Sequence, residues 1–236
     1  MKSGRNCPVC ALRETVENRR VEYYLGGSVM DPDVRIQVNK KGFCAAHQRA
    51  LLGQKNKLGL ALLMLSHADE TLRNLDRLTP SSASAKRGFP LFKKTSNPEA
   101  ALEDPLCSAL LSISQGCVIC DDIRETMAKY LYTFLHLYRN DASFRSALEK
   151  SKGLCIPDTA ALIALAKSEC SPEELQSLSS LLLDHLKDTL QQDRDDLEYF
   201  TQKFDYRNSD KPWGNSKDAL ERTINLMQGE CTGSTK

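Results

Sequence analysis

Cys7-Pro8-Val9-Cys10, followed by Gly42-Phe43-Cys44-Ala45-Ala46-His47, is matched later in the chain by Cys117-Val118-Ile119-Cys120 and Gly153-Leu154-Cys155-Ile156-Pro157-Asp158. Two ligand pairs separated by about one helical hairpin, occurring twice, decide the reading of the fold. They predict an all-α chain of two duplicated helical modules, each clasped by a CxxC…CxxH or CxxC…CxxD metal-type site and packed as a helical bundle. The second copy carries Asp158 where the first carries His47.

The match extends well beyond the ligands. Counted from Cys10 and Cys120, Tyr24 aligns with Phe134, Leu25 with Leu135, Asp31 with Asp141 and Val34 with Phe144. Arg35 aligns with Arg145, Val38 with Leu148 and Lys40 with Lys150. One extra residue then enters the second copy, and past the ligands Ala50-Leu51-Leu52 matches Ala161-Leu162-Ile163. Agreement in both ligand spacing and apolar pattern points to common origin of the halves.

The segments between ligands read as helices. From Leu12 to about Leu25, and from Ile123 to about Tyr138, apolar positions recur at helical spacing with no proline. Asp31-Pro32 is an N-cap followed by proline at the first helical position, and Asp141 offers the same cap. Gly42 and Gly153 stand where a left-handed residue ends the second helix. A first helix of roughly 14 to 16 residues runs about 21–24 Å and a second of about 10 residues returns about 15 Å. Extended residues can cover the difference, so the expectation is that Cys44 returns to Cys10 within one module.

Cys7, Cys10, Cys44 and His47 then form a Cys3His set, the donor chemistry of a closed structural zinc site. An iron–sulfur cluster suits three cysteines and a histidine at these spacings less well. The second set, Cys117, Cys120, Cys155 and Asp158, is Cys3Asp, and the carboxylate is a harder ligand. Three readings stand open there: Asp158 ligates, water completes a three-cysteine site beside it, or the site holds no metal. His136 and His185 are candidate substitute ligands, against the usual place of a lone helical histidine on the surface or in a satisfied core. A redox role for Cys7-Pro8-Val9-Cys10 lacks the preceding strand pattern such motifs accompany.

The 236 residues carry a formal net charge of +1, so no whole-chain field draws the protein to nucleic acid or an anionic membrane. Met1 to Asn6 lead into Cys7 without an apolar stretch, and the longest apolar run, about Leu58 to Leu65, is short of a membrane span. A cytoplasmic location is expected, in which nine cysteines stay reduced and favour metal over disulfides. Cys107, Cys170 and Cys231 lie outside the repeated constellation and read as small buried or partly buried thiols.

The chain divides into a first module over residues 1–79, a Pro/Ser/Lys-rich linker over 80–105, a second module over 106–205, and a C-terminal loop with a short helix over 206–236. After His47 a long helical stretch with a leucine stripe continues to about Leu78, with Gly53 and Gly59 able to bend it. Ser171, Pro172 and Glu174 make a capping box for a helix reaching about Phe204. The loop from Asp205 to Gly214, with the single tryptophan Trp213, reads as a cap over the helices or a recognition surface. A short helix from about Lys217 to Met227 follows.

The paired modules, together with Asp205-Tyr206-Arg207-Asn208 and Pro212-Trp213-Gly214 near the end, resemble an uncharacterised bacterial family of cytosolic helical proteins with duplicated Cys/His modules. The resemblance runs nearly the full length and implies a histidine in the second module too, so Asp158 departs from it. It implies no activity. No Ser/His/Asp triad, phosphate loop or dinucleotide fingerprint accompanies the cysteines. The expectation is a zinc-stabilised interaction or regulatory protein with an unidentified protein partner, one or two structural sites and no enzymatic role. The alternative is a metal- or thiol-dependent enzyme or redox sensor using Cys117, Cys120 and Cys155.

Overall fold

The computed structural model describes residues 7–78, 104–208 and 210–229. The Pro/Ser/Lys-rich linker but for its last residues, the leading Met1–Asn6 segment, Ser209 and Cys231 lie outside the described residues. Among the described residues the chain is helical and contains no strand. Its helices are α1 (Pro8–Leu25), α2 (Pro32–Lys41), α3 (Ala45–Leu52), α4 (Lys57–Leu78), α5 (Pro105–Gln115), α6 (Val118–Asn140), α7 (Ala142–Glu149), α8 (Ile156–Glu169), α9 (Pro172–Gln202) and α10 (Ala219–Gln228).

The caps read from the sequence are formed. The Asp31 carboxylate accepts the Asp33 N–H at 2.9 Å, and Asp141 accepts those of Ser143 and Phe144 at 2.8 and 3.1 Å. Ser171 and Glu174 close a reciprocal capping box at the start of α9. Gly42 caps α2 with φ 62°, whereas α7 ends on Lys150 and Gly153, with φ 78°, reverses the chain three residues beyond it rather than ending the helix.

Two elements differ from the sequence reading. The single stretch expected from His47 to Leu78 is two helices, divided at residues 53–56. Asn56 accounts for the break: its side-chain oxygen accepts the Gly59 N–H at 2.8 Å, capping α4, while its amide donates to the Leu25 carbonyl at 2.7 Å. Helix α5 has no counterpart in the sequence reading. Asp104 caps it by accepting the N–H groups of Leu106 and Cys107 at 2.8 and 3.3 Å.

The chain forms two compact units, one comprising Met1–Thr15 and Glu125–Lys236, the other Val16–Arg124. These bounds cut the chain differently from the modules 1–79 and 106–205. Helices α1 and α6 each give their first turns to one unit and the remainder to the other. In the unit Val16–Arg124, α2 packs on α4 around Tyr24, Val34, Val38, Phe43, Leu51 and Leu63. In the other, α9 packs on α8 and α10, burying Leu162, Ala166, Leu178, Leu182, Ala219 and Leu226. Buried Arg222 fastens α10 there, pairing with Asp193, with Asp196 at 2.7 Å and with Asp218 at 3.0 Å.

The loop after α9 folds back on that helix. The Lys203 ammonium donates to the Asn208 carbonyl at 2.6 Å, the Tyr199 hydroxyl donates to the Pro212 carbonyl at 2.8 Å, and Trp213 packs on Phe200 with ring centroids 5.7 Å apart. These contacts hold the loop against the end of α9 while Tyr206 and Trp213 stay exposed.

A correspondence invisible in the ligand alignment appears around the two glycines. His67 Nδ1 lies 2.9 Å from the Asn39 carbonyl and covers Gly42; His185 Nε2 lies 3.2 Å from the Glu149 carbonyl and covers Gly153. A Cβ on Gly153 would lie 2.7 Å from the His185 Cβ, and its φ disfavours any L side chain. Gly153→Ala is therefore expected to destabilise the metal-loaded protein by at least about 1 kcal/mol in urea unfolding. Gly27→Ala, where an added Cβ meets nothing within 4 Å, is the control and should change little.

Candidate metal centres

All eight residues singled out as ligands fall into two clusters, in a combination other than the one their order suggests. Cys44 and His47 meet Cys117 and Cys120; Cys7 and Cys10 meet Cys155 and Asp158. In each cluster the ligand atoms all lie within 4.8 Å of one another. Each CxxC thus pairs with the CxxH or CxxD of the other segment. The Cys7/Cys10/Cys44/His47 and Cys117/Cys120/Cys155/Asp158 sets expected from the order are corrected accordingly. The Cys117/Cys120/Cys155 set proposed for thiol or metal chemistry is likewise not assembled, since Cys155 stands with Cys7 and Cys10.

Helix lengths explain the crossing. From Cys10 to its end α1 advances about 22 Å, whereas α2, with 10 residues, returns about 15 Å. The connecting residues do not extend to cover the difference; Gly27–Met30 wind into a 3-10 turn. The chain thus comes back beside α1 at Glu17, about 10 Å along the axis beyond Cys10, where the Glu17 carboxylate lies 3.2 Å from His47 Nε2. The second segment is more unequal still, with 23 residues in α6 and 8 in α7.

Local structure then sets each ligand. Cys44 and Cys155 are the N-caps of α3 and α8, so His47 and Asp158, three residues on, fall on the same face. The Val118 N–H donates to the Gly42 carbonyl at 3.2 Å, tying the start of α6 to the loop that carries Cys44. Gly116 backs the same junction: a Cβ there would run into the Lys41 carbonyl oxygen.

In the first cluster His47 Nδ1 faces the sulfurs of Cys44, Cys117 and Cys120 at 3.2, 3.3 and 3.4 Å, and the Cys44 and Cys120 sulfurs are 3.7 Å apart. In the second, Asp158 Oδ2 faces Cys7, Cys10 and Cys155 at 3.3, 3.3 and 3.0 Å, and the Cys10 and Cys155 sulfurs are 3.6 Å apart. Four ligands around one zinc-sized ion would have S···S edges of about 3.8 Å and S···N or S···O edges of about 3.5 Å. The four spacings given for each cluster come within about half an ångström of that tetrahedron. They leave room for one ion, not for a polynuclear cluster whose thiolates sit on different irons. Either cluster can hold a metal ion.

Asp158 is buried, 2% exposed, with one carboxylate oxygen facing all three sulfurs. His136 and His185 are not brought to either cluster: His136 bonds Asn140 and His185 covers Gly153. Cys107 and Cys170 are half-buried thiols outside both.

The thiols of each cluster shift one another in opposite directions. Hydrogen bonds from Cys10 and Cys155 lower the Cys7 thiol to about 2. The Cys155 hydrogen bond lowers Cys10, but Cys7 and burial outweigh it and push that thiol up to about 12; Cys155 is pushed up further. One thiolate forms readily and resists the next. In the other cluster burial raises Cys117, but the His47 hydrogen bond and backbone donors bring it to about 6, while burial and the Cys117 charge lift Cys120 to about 12. Cys117, and then Glu17, raise His47 to about 10. Glu17 is lowered by His47 in turn. Its carboxylate lies off the line of the Nε2–H, so the contact is charge pairing more than a formed hydrogen bond.

The family follows from the whole length of the chain. The chain belongs to a family of unknown function (DUF6062), whose sequence model spans residues 1–234. No curated protein and no solved structure matches it. Both clusters of this DUF6062 member lie inside the matched span. Among the described residues no single helix is long and apolar enough to cross a membrane.

Two residues beside the ligands escaped the sequence reading. Glu17 flanks His47, and Arg13 donates from Nη2 to Asp158 Oδ1 at 2.6 Å. Both are charged residues on α1, one turn apart, which mark an outer layer of a site once the ligand combinations are known.

The pH dependence follows from these shifts. An ion must displace the His47 proton, held below about pH 10, and the Cys10 and Cys120 protons, held up to about pH 12. Metal affinity at both clusters should therefore rise with pH through the neutral range and be lost on acidification. Chelator competition at several pH values measures it; an affinity independent of pH would contradict the ligand assignment.

Proposed function

We propose that this DUF6062 member is a zinc-stabilised helical protein with two structural metal sites, acting as an interaction or regulatory protein and not as an enzyme. The observation that carries the reading is the closure of each cluster by four protein ligands at tetrahedral spacing. A metal with four protein ligands has no open position for substrate or activated water. Three thiolates with an imidazole or a single carboxylate oxygen favour zinc over magnesium, calcium or manganese, which take oxygen-rich shells. Thiolate ligands suit a reducing compartment, which supports a cytoplasmic location.

We infer further that the halves arose by duplication. The aligned ligand and apolar positions support this, as do the paired arrangements of His67 over Gly42 beside Asn39 and His185 over Gly153 beside Glu149. On this reading the function lies in surfaces held in place by metal, with a protein as the partner class.

Metal identity and stoichiometry in the full chain purified under reducing conditions test the proposal. The expected result is zinc at two ions per chain, one for each cluster. Structural zinc contributes roughly 10–16 kcal/mol in small peptides, so its removal should abolish cooperative thermal unfolding. Protein free of metal, yet folded with the same thermal transition, would overturn the reading.

A further inference from the structure

The two clusters solve the same coordination problem with ligands of different charge, and each carries a counterpart outside. His47 turns Nδ1 to three sulfurs and Nε2 to the Glu17 carboxylate. Asp158 turns Oδ2 to three sulfurs and Oδ1 to the Arg13 guanidinium. Three thiolates and a carboxylate around a divalent ion are one unit more negative than three thiolates and an imidazole. The guanidinium cancels that unit.

We propose that Arg13 is the positioning and specificity-determining residue of the Cys7/Cys10/Cys155/Asp158 site, a role resting on the reading of that cluster as a metal site. Arg13 occupies one carboxylate oxygen and so leaves Asp158 a one-oxygen ligand. That keeps the ion four-coordinate and selects a tetrahedral, thiolate-preferring divalent ion over ions that need bidentate carboxylates. The guanidinium also offsets the charge of the fourth anionic ligand, as metal-bound carboxylates generally require an outer donor. Each fourth ligand thus has an outer residue of complementary charge, Glu17 for His47 and Arg13 for Asp158, and the two come from different positions of the repeat, Glu17 aligning with Met127 and Arg13 with Ile123. Arg13 reaches the site from α1 with its side chain 30% exposed, so replacing it removes the contact without emptying a core position.

The full chain, loaded with zinc or with cobalt(II) as a spectroscopic probe, tests this. Arg13→Gln should weaken binding at this site by about 10–100-fold in chelator competition and leave the Cys44/His47/Cys117/Cys120 site unchanged. It should also shift the cobalt(II) ligand-field bands of the affected site as the carboxylate is freed to bind through both oxygens. Arg13→Lys, which keeps the charge but not the planar fork, should recover part of the affinity. Asp158→His alone sets imidazole against guanidinium and should weaken binding, and adding Arg13→Glu should restore it with bands resembling those of the other site. Arg13→Gln with unchanged affinity and bands, or Asp158→His binding as tightly without Arg13→Glu, would overturn the role of Arg13. A wild-type chain that takes up neither ion would instead overturn the metal sites themselves.

Discussion

A helix that runs out farther than its partner runs back cannot close a ring on its own beginning, and much of this structure depends on that mismatch. Helix α1 carries its CxxC at the start, α2 is too short to return there, and the chain arrives beside Glu17 instead. The CxxC at the start of α6 fills the place so left, and the CxxC of α1 meets Cys155 and Asp158 in turn. Each compact unit therefore contains a metal-type cluster whose two halves lie far apart in the chain. Such contacts are entropically costly to form in a flexible chain, and an ion held by both halves constrains that loop in the folded state.

Inside each cluster, like charges set the terms. Three sulfurs and a fourth donor within a few ångströms allow one thiolate easily and oppose the next, as the opposed shifts of Cys7 and Cys10, or of Cys117 and Cys120, express. Glu17 and Arg13 extend the same balance one layer out, each opposite in charge to what the ligand before it presents. The clusters are thus alike in geometry and unlike in charge. The difference resides in the fourth ligand and in the charged residue beside it.

The ligands, the caps and most helices were legible in the sequence because each rests on local chemistry. Cysteine spacing announces ligands, Asp31, Asp141 and Ser171 announce helix starts, and Gly42 and Gly153 announce reversals. What escaped was not local. Which CxxC meets which CxxH depends on the difference between two helix lengths and on whether a short connection extends or coils, and residues 27–30 coil. The break before α4 turns on Asn56, whose second hydrogen bond reaches back to Leu25. His67 and His185 escaped because the second segment contains extra residues that shift one against the other.

The combination of ligands is the central claim, and paired Cys→Ser substitutions with metal counting test it directly. Substituting Cys10 or Cys155 alone should lower metal content by one ion per chain. The double variant Cys10→Ser/Cys155→Ser should lose no more than either single variant, because both residues serve one site. Cys10→Ser/Cys44→Ser should lose both ions. Retention of one ion by Cys10→Ser/Cys44→Ser, with loss of both by Cys10→Ser/Cys155→Ser, would show that each module closes on itself and would contradict the account.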